Sequence, residues 1–556
     1  MHSPTLTLHS FAASGILLAC LPAVHARVRA GIDSSESAHI EKYSTVCYVD
    51  QATGDDVKGD GSVAKPFASI ITALEAAGVP AAGKRVALLV SAGSYSQPTF
   101  VLKARVDLFG GFSRTGGERD VMRHRTILDG QERGRIAFGA DDARVDGFYF
   151  VNARVRGKGA ALLCDGTSPD IANCIFINNR TLAPVPWDPP LLHETANDGG
   201  AIMLLNGSHA RIERCLFYDN TTECGRGGAV AADRAAAPRI IGCVFANNHS
   251  GLHDPMRSSD GGAVSFFDWS RGELRDSVIV ANQALTRNDA GGVFVALWSS
   301  PRLAGNVFVA NEAGDDAGGL FLGGQEHRYD APLDAYPPAQ AFDIIVDGNT
   351  IVGNTNSSRN SGAMRVTMET RARFTNNLVA ENAGGFYLQR SEIVAEHNTI
   401  WQDWRFLEDK PTLGPSRIEG NIFKEAPAAV ESKRVTISGN MAPEGTPGEK
   451  RQPVRDVFLD DGVRGRLLDL HFDPNTCTTT VRTEEPLEAS DYAGRAVRMS
   501  DSATGGQWRV IASASGTRIV VWGRLDAVTK APKFFEILRT FTPKPGSPAG
   551  LGARFQ

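Results

Sequence analysis

A self-similar unit met seven times between residues 199 and 385 constrains this chain more than any other feature. Its first mark is a pair of small residues ahead of an apolar stretch. The instances are Gly199-Gly200-Ala201-Ile202, Gly227-Gly228-Ala229-Val230, Gly261-Gly262-Ala263-Val264, Gly291-Gly292-Val293, Gly318-Gly319-Leu320, Ser361-Gly362-Ala363 and Gly384-Gly385-Phe386. The second mark is an apolar residue, two others, then Asn, as in Phe176/Asn179, Phe217/Asn220, Phe245/Asn248, Ile279/Asn282, Phe308/Asn311, Ile351/Asn354 and Val379/Asn382. From the second small residue to the Asn the distance is 20 residues (200 to 220, 228 to 248, 262 to 282, 362 to 382) or 19 (292 to 311). From Asn179, Asn220, Asn248, Asn282, Asn311 and Asn354 to the next second glycine it runs from 8 to 21. One arc of each unit is therefore constant and one corner absorbs the length variation. An arc this short, with brief alternating runs, fits two or three short strands joined by tight bends. It is too short for a two-helix repeat.

A third mark sits inside the constant arc. It is a bend residue between two apolar pieces: Cys174, Cys215, Cys243, Ser277, Asn306, Asn349, Asn377, Asn398, Asn421 and Asn440. Asn and Gly tolerate the left-handed backbone such bends need. Stacked coils would put these side chains in one column, amide bonded to amide along it. The glycine count fits this reading: 58 in 556 residues, where usage near 7% would give roughly 40. The glycines follow no three-residue period, which excludes a collagen-like chain. A net charge of −5 argues against a nucleic-acid binder that relies on a basic surface.

These marks resemble the right-handed parallel β-helix of the pectin-lyase-like superfamily. The small-pair and Phe-x-x-Asn units resemble the repeats of polymorphic outer-membrane proteins. The opening run is similar too: Tyr48-Val49-Asp50, Gly59-Asp60-Gly61-Ser62, Lys65-Pro66-Phe67-Ala68-Ser69-Ile70, then Val90-Ser91-Ala92-Gly93-Ser94-Tyr95. The resemblance covers roughly residues 46–443 and implies an all-β solenoid of ten or eleven coils, a rod of roughly 50 Å at about 4.8 Å per coil. Residues 70–77 are expected to form an amphipathic helix over the first coil, since an open sheet end needs cover. Residues 444–485 read as a linker and irregular segment, and 486–541 as a small β-barrel-like module. In that module 491–497, 507–511 and 518–523 are strands and 534–538 a fourth. Residues 542–556 are a tail containing Pro545-Gly546-Ser547-Pro548, similar to a run that closes many β-helix proteins.

At the other end, the apolar run 11–23 is too short to span a bilayer. Val24-His25-Ala26 follows it as a small-x-small site. Residues 1–26 therefore read as a secretory signal peptide and 27–45 as an N-terminal linker. Leu17-Leu18-Ala19-Cys20 also resembles a lipoprotein box, which leaves lipid anchoring at Cys20 as an alternative. Export to the periplasm, the cell surface or the medium is expected either way. No later apolar run is long enough for a transmembrane helix. Without Cys20 seven cysteines remain, an odd number that no complete disulfide framework uses. There is no Cys-x-x-Cys pair, so a thiolate zinc site has no support.

In this superfamily the substrate cleft lies on the outer face of one sheet, walled by corner loops. The strand after the small pair and the variable corner before it correspond to that region. The corner carries acids, among them Asp254, Asp289, Asp315 and Asp316. Asp254, Asp315 and Asp316 are candidate ligands for Ca²⁺, a hard cation that takes several oxygens. The alternative is that these are ordinary turn residues, as Asp198 and Asp260 are expected to be. If the residue directly after each pair points outward, the outer face is mostly apolar. Only the last coils then supply groups for proton chemistry: Arg365, Glu369, Arg390 and Glu392. A surface ion-pair network is the plainer reading of the same four. Trp269 and Trp298 share one corner of adjacent coils. With Tyr329 and Trp187 they are candidate sugar-stacking platforms, or simply packing. Signature motifs of polygalacturonases, pectate lyases, and alginate or chondroitin lyases are absent. Gln402-Asp403 resembles half of a pectin-methylesterase pair. Two functions stay open: an exported monomer whose partner is an extracellular polysaccharide or glycan surface, which it binds and, as an enzyme, cleaves by lyase or hydrolase chemistry; or a non-enzymatic cell-surface or envelope scaffold of adhesin type.

Overall fold

The computed structural model describes residues 30–33, 39–114, 117–183, 197–253, 259–324, 343–389, 391–402, 404–407, 415–424, 435–438, 440, 462–500, 506–525 and 533–540. The chain winds as a solenoid whose coil strands pair only in parallel. One turn runs Asp170–Ala172, Ile175–Ile177, Arg180–Thr181, Ile202–Leu205, then Arg211–Glu213 one level up. Repetition builds sheets of 14, 12, 11 and 7 strands among the described residues. Fourteen levels at about 4.8 Å make a rod of roughly 60 Å, longer than the repeat marks imply. The strands Thr45–Val49, Val86–Ser91 and Val106–Phe112 stack below the first recognisable unit. The helix Ile70–Ala77 forms as expected, capped by Ser69, whose hydroxyl accepts the Thr72 N–H. It buries Ile70, Ala73 and Leu74 against the first coil.

Two amide ladders hold the coils in register. The bend column is continuous: the Cys243 N–H donates to Ser277 Oγ at 3.0 Å, the Ser277 N–H to Asn306 Oδ1 at 3.0 Å, and the Asn306 N–H and Nδ2 to Asn349 Oδ1. It continues through Asn377, Asn398 and Asn421 to Asn440. The Phe-x-x-Asn column makes a second ladder, Asn179–Asn220–Asn248–Asn282–Asn311–Asn354–Asn382. Gln402 is its last rung among the described residues. Inside, Phe150, Phe176, Phe217 and Phe245 stack at 4.8 Å centroid spacing. All seven described cysteines are free.

The small-residue mark has a steric cause. A Cβ on Gly200 would lie 2.0 Å from the Gly228 carbonyl oxygen, and one on Gly228 2.2 Å from that of Gly262. Strand register aligns Gly200, Gly228, Gly262, Gly291, Gly318, Gly362 and Gly384 in one column. The unit is thus a small triple with an obligatory central glycine, and the Gly-Gly pair lies one residue late in the coils at 291, 318 and 384. A one-residue shift turns every following side chain to the opposite face. Val293, Val295, Leu320, Leu322, Phe386 and Leu388 therefore fill the interior, and Phe294, Phe321 and Tyr387 take the outer face. This corrects the outward placement expected from aligning on the pair.

The C-terminal module is a closed antiparallel barrel of six strands. Two of them, Val463–Asp473 and Thr478–Thr483, fall in the stretch 444–485 expected to be irregular. The alternation there is broken by a register shift between Leu467 and Asp469, which leaves Leu468 exposed. Trp508 and Val510 on the barrel's outer surface pack on Val280, Val309 and Val352 of the 12-stranded sheet. Gly353 admits the Trp508 ring, which a Cβ there would meet at 2.4 Å. The Arg524 N–H donates to Asn247 Oδ1 across the same contact at 3.1 Å.

Candidate functional site

The corner ahead of the small triple stacks one residue per coil. Backbone bonds from Gly159 to Asp198, Gly199 to Arg226, Gly227 to Asp260, Gly261 to Asp289 and Ala290 to Asp316 define the column. It reads Lys158, Asp198, Arg226, Asp260, Asp289, Asp316. The side chains of Asp198, Asp260 and Asp289 each accept the N–H one level up. Asp198 Oδ1 accepts from Arg226 at 2.7 Å, Asp260 Oδ1 from Asp289 at 2.8 Å, and Asp289 Oδ1 from Asp316 at 2.9 Å. Asp198 and Asp260 are turn formers, as expected.

In the lower half of this column the charges pair around a buried centre. Asp198 and Arg226 are each 1% exposed. Arg226 donates Nε and Nη2 to the two Asp198 oxygens at 3.2 and 3.0 Å, and Lys158 Nζ lies 2.6 Å from Oδ2. The guanidinium also covers the Phe267 ring at 3.5 Å. Burial alone would raise the Asp198 carboxyl, but the Arg226 and Lys158 charges outweigh it and hold the group well below the usual range. Burial pushes Asp233, 4.0 Å from Arg226, the other way. Sequence reading passed over Lys158 and Arg226. The signal available was their place in the column, one residue before Gly159 and Gly227.

The upper half gathers carboxylates. Carboxylate oxygens of Asp289, Asp315 and Asp316 lie within 4.8 Å of one another. Asp315 is exposed and the other two half-buried. Arg365 reaches Asp316 from the outer face of the 11-stranded sheet. Its Nη2 donates to Gln389 Oε1 at 3.3 Å, and its guanidinium lies over the Tyr387 ring at 4.7 Å. Asn356 Nδ2 donates to the Asp315 carbonyl at 2.7 Å and fixes that loop. The result is a mixed polar and aromatic patch on a sheet whose lower outer face, through Met203, Ala231, Ser265, Phe294 and Phe321, is buried. Three oxygen donors this close are the donor type that Ca²⁺ takes.

The other expected residues are distributed. Arg365 and Glu392 lie in different sheets: Glu392 opens the strand Glu392–Glu396 and pairs with Arg371 at 3.5 Å. Glu369 occupies a left-handed corner, φ 57°, after the strand Met364–Thr367. The described members of the four-residue proton-chemistry set thus sit on a strand, a corner and a neighbouring sheet, each placed by its own contacts. Trp269 and Trp298 stack at 5.5 Å and 16° on the corner at the far end of the same strands. Trp298 is buried beside Phe294 and Phe321, and Trp269 is half-buried. Asp254, Arg390, Tyr329 and Trp187 lie outside the described residues.

Residues 116–318 match the family model described as a right handed beta helix region. No curated protein matches the chain. Among solved structures, the chain is similar to a mutant tailspike protein of E. coli bacteriophage HK620 in complex with a hexasaccharide. Identity there is 9%, over 80% of this chain and 87% of that one, with a TM-score of 0.28. The tailspike protein of the same phage in complex with a pentasaccharide gives 11% identity over 84% and 88%, with a TM-score of 0.23. What the matched residues and the parallel sheets establish together is a right-handed β-helix.

Proposed function

We propose that this chain is an exported β-helix protein of pectin-lyase-like type that binds an extracellular polysaccharide on the outer face of its 11-stranded sheet. The observation that carries the reading is the Arg365 guanidinium, held by Asp316 and Gln389 over the Tyr387 ring, with Asp289 and Asp315 alongside. A ring face suits the apolar face of a sugar, and convergent polar groups orient its hydroxyls. Calcium between Asp289 and Asp315 would add a bridge to an acidic sugar. With its guanidinium already donating to Asp316 and Gln389, Arg365 is given a binding role in this reading. Export is supported by the signal-like segment 1–26.

The test is a glycan array on the full chain, with and without chelator, beside Arg365→Gln and Tyr387→Ala variants. Binding to acidic glycans is expected to drop in both variants while circular dichroism stays unchanged. Undiminished binding in both variants refutes the assignment, and binding indifferent to chelator refutes the calcium bridge. Release of unsaturated uronate products would overturn the non-catalytic role given to Arg365. A second reading, an envelope scaffold, is favoured by the buried apolar outer face of the lower coils. An array silent for every glycan would support it.

A further inference from the structure

The C-terminal barrel carries a cavity of about 510 Å³ on its outer surface, away from the β-helix patch and independent of it. Three neighbouring strands build it. Arg464 and Arg466 are two apart on Val463–Asp473 and so share a face. Register places Arg464 beside Glu536 and Arg466 beside Phe534 on the central strand Phe534–Ile537. On the far side Arg498 pairs with Glu536 and Ser500 with Phe534. All six residues line the cavity.

Its charge is unbalanced. Glu536 sits between two arginines: Arg464 Nε donates to it at 2.8 Å and Arg498 Nη2 at 2.5 Å. That one carboxylate offsets one of three guanidinium charges. Arg466 makes no ion pair with a carboxylate among the described residues, and its guanidinium lies 5.9 Å from the Phe534 ring centre. Phe534 itself is 39% exposed. An exposed ring on a strand is an aggregation liability unless something covers it. Here it stands beside Arg466, which has no carboxylate partner among the described residues, at a depression within the size range of small-ligand sites. The backbone is cut to fit: a Cβ on Gly465, between the two arginines, would lie 2.5 Å from the Phe535 ring. Arg464 and Arg466 can therefore stand out from one strand over a packed floor. Planar guanidinium groups match oxyanions through paired N–H donors, and the ring offers a face for a sugar to lie on.

We infer that this cavity binds a sugar unit carrying an oxyanion, its carboxylate or sulfate at Arg466 and Arg498 and its ring against Phe534. The barrel is then a second glycan contact on the same chain. The site would hold whether or not the Arg365 patch binds.

The experiment is calorimetric titration of the full chain in an Arg365→Gln background. Three probes are used: a galacturonic acid trimer, a sulfated disaccharide and the neutral maltotriose. Binding of at least one acidic probe is expected, with none of maltotriose. Added Arg466→Gln should weaken it about ten- to a hundredfold, the loss of one charge-assisted hydrogen bond. Added Phe534→Ala should also weaken it. Both side chains are exposed and outside the Glu536 ion pairs, so the barrel's near-ultraviolet dichroism should persist. Which acidic probe binds decides between carboxylate and sulfate. Three results overturn the inference: no acidic probe binds, maltotriose binds equally well, or Arg466→Gln leaves affinity unchanged. Binding by the wild-type chain that vanishes in the Arg365→Gln background assigns the glycan to the β-helix patch alone and overturns the inference.

Discussion

Replacing Asn311 by alanine removes a rung from the middle of the second ladder. Its Oδ1 accepts the Asn282 N–H at 3.1 Å and Asn282 Nδ2 at 2.9 Å. Its Nδ2 donates to the Ile279 carbonyl at 2.9 Å and to Asn354 Oδ1 at 2.8 Å. The site is fully buried, so water cannot replace what is lost. The orphaned Asn282 N–H costs about 1–3 kcal/mol, and the lost amide–amide bond adds about 1. A small cavity adds about 1 more, for a loss of roughly 3–5 kcal/mol. Asn440 is the control. It accepts the same two bonds, from Asn421 N and Nδ2, but is half-buried at the end of its column. Water can reach that end, so Asn440→Ala should cost only about 1 kcal/mol. The assay is urea unfolding followed by far-ultraviolet dichroism, with hydrogen exchange over 278–313 to detect local opening, because a solenoid's coils depend mainly on their neighbours. Equal losses in the two variants would refute the argument that desolvation sets the cost.

Phe217, stacked at 4.8 Å on Phe176 and Phe245 and fully buried, should cost about 3–5 kcal/mol when changed to alanine; the same urea series checks it. Gly353→Val places a side chain where Trp508 sits, at a φ of +66°. Faster hydrogen exchange in the strand Gln507–Ser515, with the interior phenylalanine coils unchanged, is the expected result. Asp198→Asn breaks a buried network and should cost about 3–5 kcal/mol at pH 7. Because the folded carboxyl is held low, its stabilisation is full above the unfolded value near pH 4 and is lost as pH falls towards the folded one. The gap between wild type and Asp198→Asn should therefore begin to narrow as the pH falls through about 4 and go on narrowing well below it. A gap that widens on acidification would contradict the sign.

Much of the coil was legible because its signals are local. The Phe-x-x-Asn and bend residues recur at fixed spacing, and each needs only its own level and the next to be understood. The face of the upper strands was not. Gly-Gly pairs invite alignment, but the position that must be glycine is the one whose Cβ would strike the carbonyl of the next coil, as at Gly200 and Gly228. That is a contact between residues 28 apart in sequence (200 and 228), invisible to a local pattern. Arg365 was recognised as a functional candidate, whereas its partners Asp316 and Gln389 lie 49 and 24 residues away and meet it only through stacking.

The sequence by itself determined the parallel β-helix, the position of its ladders and the corner at which acids gather. Spacing along a covalent chain dictates where turns fall, and a turn that recurs every coil dictates a column. Tertiary structure alone decided which groups meet. Arg226 and Lys158 pair with the buried Asp198, whereas Asp289, Asp315 and Asp316 gather near the surface beside Arg365. It also decided that the barrel's apolar wall covers the 12-stranded sheet and leaves its arginine cavity to solvent. Those outcomes depend on which side chains meet across levels and between domains, and the Coulomb and desolvation energies that settle them act through space, not along the chain.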